Sequence, residues 1–127
     1  MSAGGERSSV LVVDDESIIA QLVADVLGGE GYEVETAADG RAALDRLAQR
    51  SYDVVLSDLR MPEIDGLGLF RAIEQRHPEL LRRFVFITGT SAQAEYQGFI
   101  DDAKVPVLTK PFDVADLLRV VQRLVAG

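Results

Sequence analysis

Three aspartates, a lysine and a threonine carry the chemistry this sequence offers. Asp14 and Asp15 stand together and are followed by Glu16; Asp58 follows Ser57; Thr88 precedes Gly89; Lys110 lies between Thr109 and Pro111. Each group comes directly after a short apolar run. If those runs lie side by side, Asp14, Asp15 and Asp58 crowd within several ångströms. Two carboxylates about 5 Å apart repel by roughly 3 kcal/mol at an effective dielectric near 20. Such crowding calls for a counter-ion, and an all-oxygen ligand set with room for water suits Mg²⁺ or Mn²⁺ better than zinc or a full calcium cage. Lys110 adds a fixed ammonium and Thr88 a hydroxyl donor. A metal, an ammonium and a donor around a carboxylate meet the needs of phosphoryl transfer, whose catalysis is mostly positioning and charge neutralisation. Asp58 is the expected nucleophile, because it stands alone and opens into the loop from Leu59 to Gly66, while Asp14 and Asp15 would hold the metal.

Five apolar runs position these groups: Val10 to Val13, Val34 to Ala37, Val54 to Leu56, Phe84 to Ile87 and Val105 to Leu108. They alternate with longer amphipathic stretches, the pattern of a parallel sheet buried on both faces by helices. Helix one carries Ile18, Ile19, Leu22, Val23, Val26 and Leu27 and stops at Gly28-Gly29. Helix two, from about Gly40 to Arg50, turns Ala43, Leu44 and Leu47 inward. Helix three holds Leu67, Phe70 and Ile73 and ends before His77-Pro78. Helix four runs from about Ala92 to Asp102 on a poorer stripe of Tyr96, Phe99 and Ile100, and helix five carries Val114, Leu117, Leu118, Val121, Leu124 and Val125. Right-handed crossovers make this α/β series a three-layer αβα sandwich, and five strands favour the flavodoxin-like doubly wound order 2-1-3-4-5. Strands one and three are then neighbours, and ligands bind beyond the carboxyl ends of the strands where the order switches. That is where the acids gather.

A chain of 127 residues suits one domain, 47% hydrophobic content is ample for a core, and no apolar run is long enough to cross a bilayer as a helix. Met1 to Ser8 read as a loose tail rather than a signal peptide, which leaves 9–127 as the folded domain. Thirteen Lys plus Arg against twenty-one Asp plus Glu give a formal charge of -8 with no basic cluster. Nucleic acid and anionic membrane are thereby excluded as partners of this domain. The absence of cysteine excludes disulfides, thiol chemistry and Cys-ligated zinc and agrees with a reducing cytosol. The single histidine, His77, precedes Pro78 and is expected at an exposed helix end with no chemical role.

From about Val10 to Val125 the chain resembles the receiver domain of two-component response regulators. The resemblance rests on Val12-Val13-Asp14-Asp15-Glu16, Ser57-Asp58-Leu59-Arg60-Met61-Pro62 with Asp65-Gly66, Thr88-Gly89 and Lys110-Pro111-Phe112, in this order and each after a predicted strand. It implies that Asp58 accepts phosphate from the phosphohistidine of a sensor histidine kinase or a histidine phosphotransfer domain, or from a small phosphodonor. Asp15, Asp58 and the backbone carbonyl of Arg60 would bind Mg²⁺, with Asp14 acting mainly through water. Thr88 and Lys110 would grip the phosphoryl oxygens, and the Lys110-Pro111 bond would be cis. The chain would be a cytoplasmic regulatory phosphoacceptor that promotes its own phosphorylation and dephosphorylation, not a turnover enzyme. Its switching face, also the face of a homodimer, would be helix four, strand five and helix five. The stretch from Phe84 to Lys110 looks more like receivers attached to hybrid kinases.

Two departures from the family pattern stand out. Val107 occupies the position, three before the lysine, where many receivers carry an aromatic residue that flips with the threonine, so coupling must use something else; Tyr96, Phe99 and the loop from strand four to helix four are the candidates. Arg60 and Thr90, two positions beyond Asp58 and Thr88, match sites that in the family flank the path of hydrolytic water, and Arg60 would either shield the phosphoryl group or pair with a carboxylate. Other readings compete. Asp14 and Asp15 in isolation suit a helix N-cap, and Asp65-Gly66 a turn. A haloacid-dehalogenase-like phosphatase also uses a nucleophilic aspartate and Mg²⁺, but it needs an aspartate where Arg60 stands. A pseudo-receiver switching without phosphorylation is disfavoured by the intact Asp58, Asp15, Thr88 and Lys110. A nucleotide- or flavin-binding module lacks its Gly-rich loop after strand one.

Overall fold

The computed structural model describes residues 7–126. Most of the expected N-terminal tail, residues 1–6, lies outside them, whereas Ser8 already accepts a bond from the Glu33 N–H at the sheet edge. The strands are β1 (Ser9–Val13), β2 (Glu33–Ala37), β3 (Val54–Ser57), β4 (Phe84–Thr88) and β5 (Val107–Thr109). All pair in parallel, in the order β2-β1-β3-β4-β5. The helices are α1 (Ser17–Gly29), α2 (Gly40–Gln49), α3 (Gly66–Arg76), α4 (Thr90–Glu95), α5 (Gln97–Ala103) and α6 (Val114–Ala126), with a 3₁₀ segment over Pro78–Arg83.

Alternation along the strands divides the interior into two layers. Val10, Val12, Val54, Leu56, Val85 and Ile87 face α1 and α6, where Ala20, Val23, Leu27, Leu117 and Val121 close an aliphatic layer. Leu11, Val13, Val55, Phe84 and Phe86 face α2, α3 and α5 through Ala43, Leu47, Leu69, Ile73 and Ile100. Phe70, Phe84, Phe86 and Phe99 form a contiguous group there, with centroids 5.0–6.2 Å apart and each contacting pair edge-to-face except the tilted Phe70–Phe86. Both faces of β1, β3 and β4 are thus dry, which is why these three strands are buried at every position, whereas the edge strands β2 and β5 are partly exposed.

Four local differences from the sequence reading have physical causes. The expected fourth helix is broken at Tyr96 into α4 and α5, so the expected fifth helix is α6. Each short piece is anchored by one buried side chain, Ala92 or Ile100, and Gly98 lowers helix propensity in the first turn of α5. Sheet pairing of β5 begins at Val107 rather than Val105, because Pro106 has no N–H to donate, although its carbonyl accepts from Phe86. In α3 the fully buried leucine is Leu69, with Leu67 half-buried. In α1 the inward face is Ala20, Val23 and Leu27, leaving Ile18 81% and Leu22 52% exposed, and Val114 at the start of α6 is also exposed.

Candidate functional site

Ladder bonds continue one residue past the strands and fix the site's backbone. The Asp58 N–H donates to the Val13 carbonyl at 2.9 Å, the Asp14 N–H to Ala37 at 3.1 Å and the Lys110 N–H to Thr88 at 2.8 Å. Asp58, 7% exposed, is held at both carboxylate oxygens. Its Oδ1 accepts from the Leu59 N–H at 2.7 Å and the Arg60 N–H at 3.4 Å, and its Oδ2 from Lys110 Nζ at 3.1 Å. Gly66 makes this loop compact by donating its N–H to Leu59 at 2.7 Å. The Lys110-Pro111 bond is cis.

Lys110 gathers the acids. Its Nζ stands 3.2 Å from Asp14 Oδ2, 3.0 Å from Glu16 Oε1 and 3.1 Å from Asp58 Oδ2. Burial works against charge on this lysine, yet Glu16, Asp58 and Asp14 outweigh it and hold its pKa above the ordinary lysine range. Asp14 is pushed the other way: burial raises its pKa, assisted by Asp58 and opposed by the Glu16 N–H and Lys110. Asp14, Glu16 and Asp58 each present an oxygen within 4.8 Å of the others. One ammonium leaves that triplet with excess negative charge, and hard, closely set oxygens of this kind suit a small divalent cation. Asp15 is exposed and lines the same open cavity, about 310 Å³, together with Glu16, Asp58, Arg60, Thr88 and Lys110. A larger hollow of about 590 Å³ between α3 and α5 contains none of these groups.

The hydroxyl of Thr88 is fully buried without a hydrogen-bond partner. Native interiors rarely leave such a donor idle, so an orphan beside the acidic triplet fits a ligand oxygen arriving from the cavity. The five side chains expected to converge, Asp14, Asp15, Asp58, Thr88 and Lys110, thus meet at the carboxyl ends of β1, β3, β4 and β5. Glu16, read as a first-turn acid, is a full member of the cluster; its place in the contiguous Asp-Asp-Glu triplet was the available signal. The N-cap reading of Asp14 and Asp15 does not hold, since Glu16 occupies the α1 cap position and Asp14 Oδ1 accepts from its N–H at 2.9 Å. Asp65 is indeed a local backbone device, capping α3 through the Gly68 N–H at 2.8 Å, but it also accepts from the Tyr96 hydroxyl at 2.8 Å. The guanidinium of Arg60 pairs with Glu95, the carboxylate partner that was one of its two expected roles.

The family described as response regulator receiver domain matches residues 10–122. The DNA-binding transcriptional regulator NtrC of Escherichia coli is 37% identical over 126 residues, which cover 95% of this chain and 25% of NtrC. The sensor histidine kinase RcsC of Salmonella typhimurium is 39% identical over 102 residues, 80% of this chain and 10% of that protein. The chain therefore spans a quarter or less of these relatives' length, and they include both a regulator and a kinase. Among solved structures, the receiver domain of NtrX from Brucella abortus superposes with a TM-score of 0.85 at 34% identity, covering 93% of this chain and 98% of that one. Sequence, strand order and the acid-lysine cluster agree: this chain belongs to the response regulator receiver domain family.

Proposed function

We propose that the chain is the phosphoacceptor of a two-component phosphorelay, with Asp58 as the acceptor. The observation that carries this reading is the Asp58 carboxylate itself, buried, oriented by a backbone N–H and an ammonium, and facing a cavity with an idle hydroxyl. An oxygen of Asp58 attacks phosphorus as the bond from phosphorus to the donor's imidazole nitrogen breaks. The electron pair leaves with that nitrogen, and an acyl phosphate remains on Asp58. Lys110 and Thr88 take the phosphoryl oxygens. Asp15, Asp58 and the Arg60 carbonyl would hold Mg²⁺, with Mn²⁺ the alternative and Asp14 acting through water. Bound there, the ion neutralises charge that would otherwise repel the donor. The domain promotes its own phosphorylation and dephosphorylation in this way and is regulatory rather than a turnover enzyme.

The donor is a sensor histidine kinase or a histidine phosphotransfer domain. Ile18 and Leu22, exposed one turn apart just beyond the acidic triplet, offer it apolar surface beside the acceptor. The switching and homodimer face is α4, α5, β5 and α6, and the setting is cytoplasmic; among the described residues no helix is long and apolar enough to cross a membrane. Acetyl phosphate or phosphoramidate with Mg²⁺ is expected to add about 80 Da, the mass of one phosphoryl group replacing the carboxylate's proton equivalent. Asp58→Asn is expected to abolish the adduct, and full labelling of that variant would place the acceptor elsewhere.

A further inference from the structure

The end of α4 grips the acceptor loop at two adjacent residues. Glu95 pairs with Arg60, and Tyr96 donates its hydroxyl to Asp65 at 2.8 Å. Arg60 lies two residues after Asp58, its N–H directed at Asp58 Oδ1, and it lines the same cavity as Thr88 and Lys110. A third bond, from Thr109 Oγ1 to Gln93 Oε1 at 2.6 Å, ties α4 to β5. The side chains of Arg60 and Glu95 are each 56% exposed, so their pairing is readily given up.

We propose that Arg60 and Glu95 form a charge-exchange latch, in which Glu95 holds the guanidinium off the acceptor until a phosphoryl group on Asp58 takes it over. The inference rests on Asp58 being the acceptor. A phosphoryl group brings about 1.5 to 2 negative charges and a set of oxygens that a guanidinium fork fits bidentately, against the single charge of Glu95. Transfer of Arg60 frees α4 at Glu95, one residue from the break at Tyr96, and lays the guanidinium across the phosphoryl group where water would approach. Glu95 is thus a positioning residue acting through Arg60, and the latch links phosphorylation to α4 without an aromatic residue at Val107.

The test compares wild type with Glu95→Gln, Arg60→Ala, the double variant, and the swap Arg60→Glu with Glu95→Arg, each treated with phosphoramidate and Mg²⁺. Adduct half-life is read by intact mass and hydrogen exchange by the peptides spanning α4 and α5. Glu95→Gln is expected to lengthen the adduct half-life by up to about fivefold, the range that exposed ion pairs cover. Arg60→Ala shortens it, and the double variant matches Arg60→Ala. Exchange in α4 is fast only after phosphorylation in wild type and fast throughout in Glu95→Gln. The swap restores slow exchange but is not released by phosphorylation, an outcome that a merely structural pair would not give. Adduct formation with the same half-life and α4 exchange in all variants overturns the latch. Absence of an adduct in wild type overturns instead the acceptor reading beneath it.

Discussion

A Cβ placed on Gly66 would stand 2.4 Å from the backbone carbonyl oxygen of Asp58 and 2.8 Å from Leu59 Cα. Backbone meets backbone here, so neither side yields by rotating a side chain. Gly66→Ala is expected to lower stability by about 1–3 kcal/mol, the scale of overpacking a dense interior. It should also slow adduct formation by displacing the acceptor loop. Urea denaturation gives the first quantity and intact mass the second; a variant of unchanged stability would mean that the loop relaxes freely.

Thr88 yields the opposite sign for stability. Valine keeps its shape while removing the orphaned hydroxyl, so Thr88→Val is expected to stabilise the unphosphorylated chain by about 1 kcal/mol, within the cost of an unsatisfied buried polar group. The same change removes a donor from the phosphoryl group and slows labelling by phosphoramidate. Thermal melts and labelling rates check the pair of effects together. Loss of stability would show that the hydroxyl has a partner in solution.

Lys110 is the internal competitor of any divalent ion at this site. Lys110→Ala leaves Asp14, Glu16 and Asp58 without their shared ammonium, and should lower the melting temperature in chelator. The rise on adding Mg²⁺ should then exceed that of wild type, since each tenfold excess of ion over its Kd adds about 1.4 kcal/mol. Asp15→Asn should diminish that rise. Melts with and without Mg²⁺ give the result, and equal shifts in wild type and Lys110→Ala would contradict the competition.

Alkaline pH tests the grip of α4 on the acceptor loop. Burial first, and then the bond to Asp65, push the Tyr96 phenol up from its usual 10 to about 12. The folded chain keeps between those values a proton that the unfolded chain releases. The stabilisation is complete below pH 10 and disappears as pH rises through 12. Tyr96→Phe should flatten the decline measured by denaturant midpoints, leaving the parts due to Tyr52, also raised to about 12 by burial and its bond to Glu35, and to Tyr32 and Lys110, both raised as well. An unchanged slope would mean that Asp65 does not hold the phenol in solution.

The sheet and the cluster were legible because both are dictated by short-range pattern. Runs such as Val10 to Val13 are apolar at every position only if both faces are covered, and the parallel order then brings the residues after β1 and β3 together. What escaped were features set by which of several nearby partners a flexible side chain chooses. Glu16 joins the cluster because Lys110 reaches it from 94 residues away, and Tyr96 breaks a helix while bonding to Asp65, 31 residues back. Neither choice has a periodicity. The exposure of Ile18 and Leu22 shows the complementary limit, since apolar residues at helical spacing mark a face without saying whether anything in the same chain covers it.

The segregation of the phenylalanines makes the molecule a natural subject for fluorine spectroscopy. Phe70, Phe84, Phe86 and Phe99 share the layer beneath α3 and α5, whereas Phe112 packs with the aliphatic layer two residues after Lys110. Uniform incorporation of fluorophenylalanine would put four mutually sensitive resonances on the side of α3 and α5, and a fifth on the opposite side of the sheet. A single spectrum would then separate a change near Lys110 from one in the aromatic layer.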